Sequence, residues 1–147
     1  MNAIEFLIKE HNKVRTMFEE IEGSSKGFES KLDLFNTMCD DLLRHETMEH
    51  KIWYPHFKND SRLKDDVKHL LREENDAEKA IKKLNDIEDE KAWEQQFAQF
   101  KKEVQHHANE EEEKLFPEVK QILDEAKLLK IGKEMKEFKE EYKEPSI

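Results

Sequence analysis

One stretch of this chain is written twice, and that repeat limits what the chain can fold into. Phe35, Met38, Leu42, His45, Glu49, Trp53, Tyr54 and Pro55 recur at one constant offset as Phe97, Phe100, Val104, His107, Glu111, Leu115, Phe116 and Pro117. In each copy a His is followed four residues later by a Glu, and a Pro comes six residues after the Glu. The apolar residues recur at helical spacing. Residues i and i+4 lie one above the other on a helix. Each copy therefore offers an imidazole and a carboxylate in one direction, at positions where the apolar pattern calls for leucine.

The rest of the chain is helical in period as well. Ile4, Leu7, Ile8, Val14, Phe18 and Ile21 predict a first helix over 3–22, with His11 in the middle of its stripe. Residues 23–27 make a loop. The first copy of the repeat predicts a second helix over 29–53, bent or stopped by Pro55. A third helix is expected over 63–88, with Glu74 and Glu78 in its stripe. The second copy predicts a fourth helix over 93–123, kinked at Pro117. A last helical segment over 124–142 is interrupted by Gly132. With a two-residue adjustment the first helix also matches the third, placing Leu7, Glu10 and His11 against Leu71, Glu74 and Asn75.

The chain thus reads as two helical hairpins. The expected fold is all-α: an up-down antiparallel four-helix bundle over residues 1–123, with a short extra C-terminal helix and tail over 124–147 packed on it. Composition agrees. Of 147 residues, 42% are charged and only three are Gly and three Pro, which suits long solvated helices better than a sheet. The net charge of −10 argues against nucleic-acid binding, where phosphate contacts from Lys and Arg dominate affinity. No apolar run is long enough to span a membrane. Cys39 is the only cysteine, so an internal disulfide is excluded. The N-terminal residues lack a basic region followed by a cleavage site, and a soluble cytoplasmic protein is expected.

Burying His11, His45, Glu49, His107 and Glu111 without partners costs several kcal/mol per uncompensated carboxylate. A metal removes that cost. Imidazoles and carboxylates suit divalent iron, zinc or manganese, and soft thiolates are absent because Cys39 lies off the stripe. Glu49 and Glu111 stand at equal distance from the two prolines. They come to similar depth and can bridge two ions, each of which takes imidazole from the flanking helices. His50, His56, His69 and His106 fall off these stripes and read as surface residues.

On Glu10-His11, His45-x-x-x-Glu49 with Trp53-Tyr54-Pro55, and His107-x-x-x-Glu111 with Leu115-Phe116-Pro117, the chain resembles the hemerythrin-like proteins, the HHE cation-binding domain family. The resemblance implies a bundle with a non-haem di-iron centre, bridged by the two Glu and by an oxo or hydroxo oxygen. It also implies a small diatomic or peroxide ligand, and a role in binding or sensing oxygen, redox state or iron. Some members handle peroxide or nitric oxide. This chain departs from the family on the third helix, with Asn75 and Lys79 where histidines are expected. Glu46, Glu74, Glu78 and Asn75 itself are the residues available to make up the shortfall. Glu46 resembles a ligand Glu of the iron-sensing relative in a ubiquitin ligase. A centre rich in carboxylate and poor in imidazole suits a reactive or labile iron better than a reversible oxygen carrier. Two other readings stand beside this one: an iron-dependent enzyme acting on peroxide or nitric oxide, and a bundle with a degenerate metal site serving as an interaction module.

Overall fold

The computed structural model describes residues 1–142, so the end of the expected C-terminal tail, 143–147, lies outside the described residues. Among the described residues there are helices and no strands. Helix α1 spans Ala3–Glu22, α2 Phe28–Met48, α3 Lys64–Asn85, α4 Glu90–Glu110, α5 Phe116–Ile122 and α6 Glu125–Glu141. Side-chain caps start three of them. Asn2 and Glu5 form a reciprocal capping box on α1, Asp89 accepts from the Ala92 N–H, and Asp124 accepts from the Lys127 N–H.

The second and fourth helices are shorter than their periodicity suggested. Each gives way to a π-helical turn, Glu49–Trp53 after α2 and Glu111–Leu115 after α4. The cause is the proline that follows. Pro55 and Pro117 have no N–H to donate, and their rings collide with the carbonyl four residues back if the α-helix continues. The wider turn replaces that bond. The Tyr54 N–H donates to the Glu49 carbonyl, and the Phe116 N–H donates to the Glu111 carbonyl. After the first π turn a short 3-10 turn, Tyr54–His56, ends the element. After the second, α5 resumes.

The apolar interior divides into two clusters. One contains Ala3, Ile4 and Leu7 of α1, Met48 and Trp53, Val67 and Leu70 of α3, Leu115 and Phe116, and Leu128, Ile131 and Met135 of α6. The other contains Phe18 and Ile21 of α1, Phe35, Met38 and Leu42 of α2, Ala80 and Leu84 of α3, and Trp93, Phe97 and Phe100 of α4. The second is built largely of aromatic rings at edge and stacked angles around Phe97. Between the two clusters α1 to α4 carry buried or half-buried polar residues, and these make the site.

Helix α6 packs on α1 and α2. Gly132 is what allows it. A Cβ there would lie 2.5 Å from the Met1 carbonyl oxygen and 2.9 Å from the Ala3 nitrogen, so only glycine lets the two backbones approach. No helix among the described residues is long and apolar enough to cross a membrane.

Candidate metal centre

Four helices send polar side chains into the layer between the two apolar clusters. Helix α1 supplies His11, α2 and its π turn His45 and Glu49, α3 Glu74, and α4 and its π turn His107 and Glu111. Glu49 and Glu111 are wholly buried, and each is the first residue of its π turn. The unwound turn thus re-aims the carboxylate just where the repeat needs it, a placement typical of π turns at functional sites.

The side chains converge on two overlapping points. Ligand atoms of His11, His45 and Glu111 lie within 4.8 Å of one another, and so do those of Glu49, Glu74, His107 and Glu111. Glu111 is common to both. Glu49 reaches the first group too, with Oε1 2.9 Å from His45 Nε2. Glu111 Oε1 is 3.1 Å from His107 Nε2 and 3.7 Å from His11 Nε2. Yet both carboxylate oxygens of Glu49 and of Glu111, with Nε2 of His11 and of His107, make no hydrogen bond although buried. They face shared points rather than one another. Buried polar groups are nearly always satisfied, and so dense a set of orphans fits a cation between them. The donors, three imidazoles and three carboxylates, suit borderline divalent metals.

The outward faces of the imidazoles are held by further carboxylates. His11 Nδ1 donates to Glu112 Oε2 at 2.9 Å, and Glu112 is clamped by Arg15 at 2.6 Å. His107 Nδ1 donates to Glu73 Oε1 at 3.3 Å. His45 Nδ1 faces Glu10 at 3.8 Å, and Glu10 pairs with Lys139 of α6 at 2.6 Å. Such carboxylate–imidazole pairs fix the tautomer that leaves Nε2 free for a metal. The ring of Phe116 stacks over His11 at 6.1 Å.

The two buried carboxyls of the layer titrate in opposite directions. Burial and the charge of Glu111 hold the Glu49 carboxyl above its usual range. Burial also disfavours charge on Glu111, but His107 and His11 outweigh it and hold that carboxyl well below its range. Two buried carboxylates this close resist ionising together unless a cation lies between them. Burial opposes charge on His45 and His107 as well. The carboxylates of Glu49 and Glu10 around His45, and of Glu111, Glu73 and Glu74 around His107, nonetheless hold both imidazoles well above the ordinary value.

Of the residues expected from the repeat, His11, His45, Glu49, His107 and Glu111 all come to this layer, and Glu74 joins them. Glu74 is 2% exposed, and Asn75 beside it is exposed. Adjacent residues on a helix point about 100° apart, and α3 turns Glu74 inward and Asn75 out. Glu78 and Lys79 are exposed too. Glu46 is half-buried at the edge of the layer. Burial, with Glu74, Glu78 and Glu49 facing it, pushes its carboxyl up to about 9. Burial also pushes the Cys39 thiol up to about 12, away from metal-binding thiolate. Glu112, Glu73 and His50 are functional neighbours that the periodicity did not mark. His50 is exposed, yet its Nε2 lies 2.6 Å from Glu74 Oε2, and Tyr54 Oη donates to Glu74 Oε1 at 3.4 Å. Their common signal is position: each is next to, or on the turn beside, a residue of the layer.

Comparison with known proteins agrees with this geometry. The family model of the hemerythrin HHE cation binding domain matches residues 2–119. A crystal structure of a hemerythrin HHE cation binding domain-containing protein from Mycobacterium kansasii superposes with a TM-score of 0.82 at 23% identity, covering 95% of this chain and 86% of that one. No curated protein matches the sequence.

Proposed function

The chain belongs to the hemerythrin HHE cation-binding domain family, and from that premise we propose that its polar layer holds two iron ions as a non-haem di-iron centre. His11 and His45 hold one ion, and His107 and Glu74 the other. Glu49 and Glu111, whose carboxylates reach ligand atoms of both groups, would be shared between them. The observation that supports this most is the set of buried, unpartnered atoms on Glu49, Glu111, His11 and His107. The scaffold proposed for it is an up-down bundle over residues 1–123. Residues of α1 and α3 run from the first apolar cluster to the second, and those of α2 and α4 run back. Helix α6, Glu125–Glu141, packs against that bundle.

When bound, the metal pair supplies redox chemistry and affinity for dioxygen, nitric oxide or peroxide. The chain's own residues position it and shape what reaches it. Phe116, Trp53 and Leu115 exclude water on one side. Glu10, Glu73 and Glu112 hold the imidazoles in the tautomer that presents Nε2. The role we assign is cytoplasmic sensing or binding of oxygen, redox state or iron rather than reversible oxygen carriage. The second half of the centre takes carboxylate from Glu74 where the resemblance led us to expect imidazole. That same asymmetry, with the Tyr54 hydroxyl on Glu74, favours a second reading: turnover of peroxide or nitric oxide. Steady-state turnover with either substrate separates the two.

X-ray absorption at the iron edge tests the centre. The expected result is nitrogen and oxygen neighbours with a second iron at about 3–4 Å, the spacing of two-metal sites. That iron neighbour disappears in Glu111→Gln. A mononuclear spectrum unchanged by Glu111→Gln overturns the reading and points to a degenerate site on an interaction module.

A further inference from the structure

Two more His-x-x-x-Glu sets lie on α3 and α4, outside the central layer: His69 with Glu73, and His106 with Glu110. The helices bring them face to face. His69 Nε2 is 3.1 Å from Glu110 Oε2 and 3.7 Å from Glu73 Oε2. His106 Nε2 is 2.8 Å from Glu110 Oε1 and 3.5 Å from Glu73 Oε2. Each imidazole therefore reaches both carboxylates, one on its own helix and one across the groove. Ligand atoms of His69, Glu73 and Glu110 lie within 4.8 Å of one another, and His106 closes the fourth side.

The burial pattern is that of an open site. Glu73 and Glu110 are 19% and 12% exposed, while His69 and His106 are 51% and 62% exposed. The carboxylates form a floor and the imidazoles an exposed rim. A cleft of about 40 Å³ opens beside them, lined by Asp66, His69 and Glu110, so a third carboxylate faces the same water. The competing cation is Lys114, with Nζ 3.9 Å from Glu110 Oε1, and its side chain is 70% exposed.

We propose that His69, Glu73, His106 and Glu110 bind one divalent transition-metal ion, of the zinc or ferrous class, at the surface and separately from the central pair. Tetrahedral ligands about 2.0–2.2 Å from such an ion stand about 3.3–3.6 Å from one another, and the imidazole–carboxylate separations of 2.8–3.7 Å bracket that distance. Two imidazoles with two carboxylates match that class of metal and not calcium or magnesium, which take oxygen alone. Glu73 joins the two sites, because its other oxygen, Oε1, accepts from Nδ1 of the central His107. None of the four residues is itself a ligand of the central pair, and Glu73 is the one that touches both sites.

Zinc titration of the full chain tests this, with bound zinc counted by equilibrium dialysis and imidazole resonances followed by NMR. In the wild type the His69 and His106 resonances shift together, and those of His56, a surface histidine remote from the cluster, stay still. His69→Gln/His106→Gln binds one zinc fewer, with helicity unchanged. Glu49→Gln, which damages only the central layer, leaves the outer shifts in place, so failure of the central reading is distinguishable. An equal zinc count in the double variant, or shifts at His56 as large as those at His69 and His106, overturns the proposal.

Discussion

At the scale of single residues, the pair Glu49 and Glu111 governs the chemistry. Both are wholly buried, and one carboxyl is held above and the other below its ordinary range. Glu49→Gln mimics the protonated acid. Because it removes repulsion from Glu111 and attraction to His45 together, the metal-free protein should stay within about 1 kcal/mol of the wild type. The same change should abolish the shift in thermal midpoint that iron produces. A larger loss of stability in the metal-free variant, measured by denaturant unfolding, contradicts the assignment. Glu112→Ala removes the outward partner of His11 and should weaken iron binding about 10–100-fold without unfolding the protein, as read by competition with a chelator.

The imidazoles add a pH dependence. His45 and His107 have folded pKa values well above the unfolded value, despite burial. Their contribution to the metal-free fold is therefore complete below pH about 6.5 and is lost as pH rises through the folded values. The metal-free thermal midpoint should fall as pH rises through that window. Metal displaces the same protons, so apparent metal affinity should rise across it. A midpoint that climbs over that range sinks this assignment. The sequence showed these residues because polar groups interrupted an apolar stripe. It showed neither Glu112 nor Glu73, whose roles depend on which helix α1 and α4 each face.

At the scale of elements, the π turns were the feature that periodicity missed. The extra residue of a π turn shifts the helical phase, but apolar residues lie densely on both sides of it, Trp53 and Tyr54 in one copy and Leu115 and Phe116 in the other, so 29–53 and 93–123 looked continuous. Pro55 and Pro117 marked a disturbance but not its form. The sequence left Glu74 and Asn75 side by side as candidates for a related reason. The two hairpins align only with an adjustment of two residues, and one residue of register on a helix is about 100° of rotation. The segment following the bundle was visible in its period, and Gly132 looked like an interruption of it. The structure gives that glycine a positive role, as the point where α6 crosses the start of α1. Gly132→Ala should push α6 outward and cost about 1–3 kcal/mol by overpacking, measured as a lowered midpoint of thermal unfolding. Because Lys139 of α6 holds Glu10 against His45, iron affinity should fall as well. A variant with wild-type stability would show that α6 does not pack as described.

At the scale of the molecule, a polar layer separates two apolar clusters, and every one of the four long helices crosses it. The two clusters were legible in the sequence, since Phe35, Phe97 and Phe100 repeat the pattern of a core and His45 and His107 break it at matching depth. Glu74 was one of several residues the sequence offered in place of imidazole; what composition and periodicity could not show was that it is the one buried in the layer while Asn75 and Glu78 are exposed, or that α3 and α4 present a second set of donors outside it. In the proposed centre metal and fold are coupled through this layer, because ions that bind only the folded chain stabilise it by mass action. The most direct measurement is Mössbauer spectroscopy of the protein loaded with iron-57, in the wild type and in Glu49→Gln. Two exchange-coupled irons per chain in the wild type, lost in the variant, are the predicted result. Uncoupled iron alone, in the same amount with or without Glu49, would contradict a centre bridged by the two buried carboxylates.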